Sequence, residues 1–384
     1  MANKWGYIPF EQAVEICDSL RKPINSKERT NRIANKKPSD LYPYYGATGQ
    51  VGFIDEYITD GEYVLLGEDG APFLNIFATK AYIITGKTWV NNHAHVLKAK
   101  GNNRFLCYYL NSINYNGLVS GTTRLKLTQA QMKQINIPAV PLPEQERIVT
   151  RIEELFSELD KAVKTLHTTK QQLAVYRQAV LKEAFEGCTT AKANAVCEHI
   201  TDGDHMPPPK SESGIPFIMI SNIKGNTICW DNTNYVNQEY YTAIGEKRTP
   251  KKGDVLYTVT GSYGIPVKVD FDKDFCFQRH IALLRPNEKI TQNYLFYALQ
   301  SPDVYLQATK RATGTAQKTV GLSVLRDIAI PFFESVEKQN EVTDLIESRL
   351  SVCESIEQTV DTALAQADAM RQSILKQAFE GGYV

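Results

Sequence analysis

The chain of 384 residues carries 43 Lys and Arg against 43 Asp and Glu, a formal net charge of zero, with 42% hydrophobic and 22% charged residues. That length and balance suit two or more soluble globular domains; no apolar run nears the ~18 residues of a membrane helix and none follows the opening MANKWGYIPFEQAVEIC, so neither a membrane span nor a secretory leader is expected and a cytoplasmic protein is. Cysteines 17, 107, 188, 197, 229, 276 and 353 form no CxxC pair and make an odd total, which argues against a zinc ribbon or a disulfide framework.

Residues 1–143 are basic, with 16 Lys and Arg against 11 acids, and read mainly as β. YPYYGATGQVGFIDEYITDGEYVLLGEDGAP (42–72) alternates short Tyr, Val, Ile and Leu runs with Gly and Asp turn clusters, and only NRFLCYYLNS (103–112) looks helical. Residues 144–187 predict one long helix: Ile148, Ile152, Leu155, Leu159, Ala162, Leu166, Thr169, Leu173, Tyr176 and Val180 step by four and three. Residues 188–335 return to β patterns in IPFIMISNIKGNTICW and KKGDVLYTVTGSYGIPVKV, with TQNYLFYALQS helical. Residues 336–384, with 4 basic side chains against 9 acids, predict a second long helix.

The two halves are copies. VLKEAFEG (180–187) recurs as ILKQAFEG (374–381), 194 positions on, and GTTRLKLTQAQMKQINIPAV (121–140) lines up with GTAQKTVGLSVLRDIAIPFF (314–333) at an offset of 193. Adding 194 to the helical stripe gives Val342, Ile346, Arg349, Cys353, Ile356, Val360, Ala363, Ala367, Met370 and Ile374, with Arg349 the one clear breach. No Gly or Pro interrupts either stripe, and Gly187 and Gly381 stand where a glycine would end each helix. A seam this long needs a partner, and the other copy is the nearest one. The expected class is α+β: two mixed α/β domains joined by two long antiparallel coiled-coil helices, in a pseudo-twofold repeat that places the domains at opposite ends of the rod.

Catalytic patterns are missing. AYIITGKT (81–88) fits a loose phosphate-loop pattern, but Tyr82, Ile83, Ile84 and Thr85 are strand residues where small ones are needed and no helix follows. No Asp or Glu has Lys two positions later, as metal-dependent nucleases often do, and MPPPK (206–210) has the wrong neighbours for an amine-holding methyltransferase loop. His93 and His95 share a strand face with no third ligand spaced to complete a metal site.

Binding is the remaining class, and the turns are what could bind. PYYGATG (43–49), GEDGA (67–71), NNHAH (91–95) and SGTTRLK (120–126) recur in kind as SNIKG (221–225), TGSYG (260–264), QRH (278–280) and GTAQK (314–318). Asn and Gln can pair with adenine, Arg with guanine, and Gly lets backbone approach phosphate. The candidate binding residues on these turns, which the resemblance described next makes DNA-facing, are Tyr45, Thr48, Asn91, Asn92, His95, Thr122, Arg124 and Lys126 in the first copy, and Asn222, Lys224, Ser262, Tyr263, Arg279, His280, Thr315 and Lys318 in the second. A peptide-binding scaffold built around the helical seam is the alternative.

The order YPYYGATGQVGFIDEY, LLGEDGA, VNNHAHVLK, SGTTRLKL, INIPAVPLPEQERIV, LKEAFEG, then RTPKKGDVLYTVTGSYG, QRHIALLRP, IAIPFF and LKQAFEG resembles the specificity subunit of type I restriction-modification systems over the whole chain. FFESVEKQNEV departs from it, lacking the Pro-Leu-Pro-like stretch at the second helix start. The resemblance implies two target-recognition domains that read the halves of a split, asymmetric DNA site in the major groove, with the paired helices setting the spacing. It implies no catalysis and no cofactor in this chain: two modification subunits would bind S-adenosylmethionine and methylate adenine, and restriction subunits would bring ATP, Mg and endonuclease activity. Leu181, Phe185, Leu375 and Phe379 are then expected to pack where each helix meets the opposite domain or a modification subunit.

Overall fold

In the computed structural model, residues 5–205, 208–209 and 211–380 are described; Gly381 and Met206, Pro207 and Lys210 of MPPPK lie outside them. Leu142–Ala184 (43 residues) and Val336–Phe379 (44 residues) are each one unbroken helix. The chain divides inside both helices, into one unit of Met1–Thr168 with Val360–Val384 and another of Thr169–Thr359. Each unit therefore owns the start of one long helix and the end of the other.

In the first unit, strand Tyr63–Gly67 lies between Ala94–Ala99 and Ala81–Ile84, and Val14–Ile16 completes that sheet. The run YVLLG is buried on both faces, Val64 and Leu66 in the main core and Leu65 in a smaller cluster with Ile84, Val90 and Val96, which is why it reads as continuously apolar. A second sheet orders Gly49–Ile54, Tyr42–Gly46, Lys87–Val90 and Thr59–Asp60, its middle pair parallel. The second unit repeats this scheme: Val255–Thr258 lies between Ile281–Pro286 and Pro266–Lys268, and Ile215–Ile218 pairs in parallel with Cys276–Phe277. Both expected domain helices form, as Asn103–Ser112 and Gln292–Ala298. Four more of at least six residues, among the described residues, are not announced by apolar period: Ser26–Ile33, Gln238–Ala243, Pro302–Arg311 and Leu322–Asp327. Their caps could have shown three of them, since Asn25, Asn237 and Ser301 each accept a first-turn amide and Pro302 sits at the first helical position.

The ends of the long helices complete the cores. Leu375, Ala378 and Phe379 join Ile148, Val149 and Ile152 beneath the first sheet, where the Phe379 ring packs edge-on against Phe105 and Tyr109, centroids 5.2 Å from each. In the second unit Val180, Leu181 and Phe185 join Val342, Ile346 and Leu350, and Phe185 meets Tyr294 edge-on at 5.6 Å. Phe185 and Phe379 are thus aromatic plugs, each seated in the domain of the other copy. The helix starts are tied down as well. Gln145 accepts the Asn102 amide and donates to the Val140 carbonyl, while Gln339 accepts the Thr291 amide and donates to the Lys289 and Phe333 carbonyls, so each spans from a long helix to the cap of a domain helix.

The seam is heptad, with one of its two expected stripes displaced by a residue. Ile152, Leu159, Leu173 and Val180 are buried and Leu155 and Phe156 are both half-buried, but Ala162 and Tyr176 face solvent, and Val163 and Arg177 turn inward instead. The second helix makes the same change: Leu350, Glu357, Leu364 and Arg371 are covered where Ile356 and Met370 are exposed. Arg349 therefore breaches no seam and pairs with Glu183 at 2.7 Å. In the second unit Arg177 pairs with Glu357 at 2.9 Å and lies 3.9 Å from Glu354; as the first helix advances from 177 to 183 its partners fall from 357 to 349, which fixes an antiparallel pair. In the first unit Arg371 pairs with Asp160 and stacks over Phe156 at 4.8 Å. Because 177 and 160 become 371 and 354 on adding 194, the two arginine pairs are the same contact made twice.

Truncating one plug should therefore be felt in one unit. Phe379→Ala, a side chain only 6% exposed, should cost about 3–5 kcal/mol locally. Hydrogen exchange should accelerate in Asn103–Ser112 and leave Gln292–Ala298 unchanged, with Phe185→Ala giving the reverse.

Candidate nucleic-acid interface

Backbone hydrogen bonds bring the four turns of the first unit together. The Asn91 amide donates to the Tyr45 carbonyl (3.1 Å), Glu68 to His93 (2.8 Å), Gly70 to Leu125 (2.9 Å) and Leu127 to Glu68 (2.7 Å). The SGTTRLK segment is a tight hairpin in which Ser120 and Lys126 exchange amide bonds. Gly121 turns it at φ +97°, and a Cβ there would sit 2.4 Å from the Arg124 carbonyl oxygen. The second unit builds the same ladder: Gln278 donates to Ile218 (3.0 Å), Val259 to His280 (2.9 Å), Gly261 to Lys318 (3.0 Å) and Val320 to Val259 (2.8 Å). Its hairpin closes between Thr313 and Thr319 on Gly314, φ +102°, whose Cβ would lie 2.3 Å from the Gln317 carbonyl oxygen. SNIKG follows Ile215–Ile218 as GATG follows Tyr42–Gly46.

On this scaffold Thr48, Asn92, Thr122, Arg124 and Lys126 are exposed in the first unit, and Lys224, Ser262, Arg279, Thr315 and Lys318 in the second. Tyr45 is half-buried against Tyr82, with ring centroids 5.9 Å apart. Tyr263 stacks on Tyr305 at 5.7 Å and donates to or accepts from the Thr309 hydroxyl at 3.1 Å. His280 is half-buried, and burial, with the Arg279 charge beside it, lowers its imidazole below the usual range.

Three expected DNA-facing residues are internal. His95 is fully buried, with Nδ1 on Asp18 at 2.8 Å and Nε2 on the Leu127 carbonyl at 3.0 Å, so neither nitrogen is left to read a base. The histidine equivalent to His280 is His93, whose carbonyl holds the Glu68 amide and whose side chain is partly exposed. Asn91 is 9% exposed and accepts the His93 amide; Asn222 is 5% exposed, accepting the Met219 amide and donating to the Cys229 carbonyl. These asparagines shape their turns. The phosphate-loop lookalike is two strands, Ala81–Ile84 and Lys87–Val90, bent at Gly86, and the Lys87 ammonium lies over the Tyr57 ring.

Behind the first unit's turns lies a charged group that the sequence reading did not single out. Asp18 accepts the Val96 amide and His95 and pairs with Arg21 at 3.2 Å; Arg21 also pairs with Glu68. Burial alone would raise the Asp18 carboxyl, but His95, the Val96 amide and Arg21 outweigh it and hold the group below the ordinary carboxylate range.

The family described as the type I restriction modification DNA specificity domain matches the chain over residues 13–171 and 200–364. The putative type I restriction enzyme specificity subunit S.HindORF215P of Haemophilus influenzae is 28% identical over 378 residues, 94% of this chain and 91% of its own length. The type I restriction enzyme EcoBI specificity subunit of Escherichia coli is 24% identical, covering 91% of this chain and 79% of its own. Among solved structures, a chain from work on complex assembly and conformational transition of the type I R-M system superposes with TM-score 0.71 at 16% identity, covering 98% of this chain and 97% of that one. The HsdS subunit from Thermoanaerobacter tengcongensis gives TM-score 0.52, also at 16% identity, over 98% and 97%. These structures share the fold.

A depressed Asp18 carboxyl stabilises the fold above its unfolded pKa of about 4, and that share is lost as pH falls through the lower folded value. Asp18→Asn should destabilise the chain by about 1.5–3 kcal/mol at pH 7. In denaturant titrations across pH, the gap to the unmodified protein should narrow steadily below about pH 4.

Proposed function

The chain belongs to the type I restriction-modification specificity family, and from that footing we propose that its two units read the two unlike halves of one split DNA site. It is the DNA-recognition subunit of such a system, and the chemistry resides in other subunits. One observation carries the proposal: the same hydrogen-bonded turn scaffold occurs twice while the exposed side chains on it differ. Asn92 is replaced by Arg279, Arg124 by Gln317 and Lys126 by Thr319 at equivalent rungs. Equal scaffolds with unequal donor and acceptor patterns suit unequal half-sites, and about 1–3 kcal/mol of discrimination per bidentate contact makes a few such side chains sufficient.

The partners implied are two modification subunits, which would hold S-adenosylmethionine, and restriction subunits, which would hold ATP and Mg; this chain would hold no cofactor. Exposed apolar side chains along the long helices, among them Val175, Tyr176, Leu345, Val352, Ile356 and Met370, support a role for those helices in docking partner subunits as well as in spacing the half-sites. Partner surfaces around the DNA offset the chain's lack of net positive charge. No described helix is long and apolar enough to cross a membrane, in keeping with a cytoplasmic site of action.

The experiment is to assemble the chain with its modification partner and map the methylated motif. Arg124→Ala with Lys126→Ala should relax one half of the motif by roughly tenfold or more in preference, and Arg279→Ala with Lys318→Ala only the other. Equal loss in both halves contradicts the division of labour. Gly121→Ala and Gly314→Ala, which disturb one hairpin each, should divide in the same way.

A further inference from the structure

The turn GEDGA places two carboxylates beneath the cations of the hairpin. Asp69 Oδ1 lies 2.7 Å from Arg124 Nε, with His93 Nδ1 3.5 Å from its other oxygen, and Glu68 Oε1 lies 3.4 Å from Lys126 Nζ while Arg21 grips Glu68 from behind. The acids are the covered members, with 25% and 13% of their side chains exposed against 58% and 49% for Arg124 and Lys126. An acid facing DNA is repelled by phosphate, so two at this turn need a reason. The charge contact with Asp69 tethers the guanidinium at the turn, while more than half of the Arg124 side chain stays exposed to meet acceptors.

The second unit supplies an internal comparison. The ladder bonds that match Gly70 to Gly261 and Glu68 to Val259 also match Asp69 to Thr260, Lys126 to Thr319 and Arg124 to Gln317. His95, which touches Glu68 from the adjacent strand at 3.9 Å, matches Ala282. Both acids and both of their cations are absent together in the second copy, where Thr319 and Thr260 join hydroxyl to hydroxyl at 3.3 Å. By contrast the Asp18–Arg21 pair, three residues apart, keeps its form as Asp202–His205 at 2.7 Å. Acids and cations thus differ between the copies as one set.

We propose that Asp69 and Glu68 are positioning residues of the first reading site, orienting Arg124 and Lys126 toward the bases and so setting which half-site this unit accepts. This rests on the reading that the 120–126 hairpin meets DNA. A charged pair exchanged for a neutral one is then how the two copies came to read different letters.

The test uses the full chain assembled with its modification partner on a randomised DNA library, scoring methylation at each position. Asp69→Asn should reduce preference about tenfold at a position that Arg124→Ala also relaxes, leaving the other half-site intact, and Asp69→Glu should recover part of it. Adding Asp69→Asn to Arg124→Ala should change nothing further, because the carboxylate acts through the guanidinium. Additive losses, or an unchanged motif in Asp69→Asn while Arg124→Ala relaxes it, overturn the positioning role and leave the hairpin reading standing. An unchanged motif in Arg124→Ala and Lys126→Ala overturns the hairpin reading itself. Should Asp69→Asn lower the thermal midpoint of the complex, the paired change Asp69→Thr with Arg124→Gln, the second copy's chemistry, decides: a rewritten first half-site supports the proposal and an unaltered one overturns it.

Discussion

The structure depends on an exchange of helix ends. Each long helix begins under the domain of its own copy, where Gln145 or Gln339 ties it to the cap of a domain helix, and finishes in the core of the other, where Phe185 or Phe379 fills an aromatic socket. Neither domain core is complete without residues from the second half of the sequence's other repeat. A 42% hydrophobic chain divided between two modest domains gains from this arrangement, because each core recruits two additional apolar helix faces. Arginine in the seam adds a polar contact: Arg177 and Arg371 each meet an acid of the opposite helix, and removing that acid would leave a half-buried charge unpaired.

On the proposed reading, function follows from keeping that scaffold and varying its tips. The ladder beneath the turns uses backbone donors and acceptors, so it tolerates almost any side chain above it. Glycine is the exception at 121 and 314, where the hairpin carbonyl leaves no room for a Cβ. Side chains that depend on one another, such as Asp69 with Arg124, vary in company. Recognition is thereby, on this proposal, separated from folding, so that one chain with a duplicated scaffold would hold two different readers.

Much of this is legible in the sequence. The half-length repeat, the long helices, the β character of the domains and the turns that gather at the candidate interface all follow from spacing and composition. The seam phase does not. Leu155–Phe156 and Ala162–Val163 place apolar residues side by side, so a four-three period fits two faces; Val163 is covered in place of Ala162, while Leu155 and Phe156 are both half-buried, Phe156 against the first core. His95 misleads for a related reason. Spacing alone puts it on a strand face with His93, but His93 lies in the turn before Ala94–Ala99, an inner strand of the first sheet, and Asp18, remote in sequence, reaches in to satisfy His95. Glu68 and Asp69 were visible as turn residues, whereas their cations come from 124 and 126 through a fold that local pattern cannot supply.

The central claim is that one chain holds two unlike readers of one DNA target. Genome-wide mapping of methylated bases, in cells carrying the modification partner with and without this chain, addresses it most directly. The account predicts that methylation appears only with the chain present, at a motif of two short, non-identical blocks separated by unspecified bases. A continuous motif, two identical blocks, or methylation indifferent to the chain would contradict it.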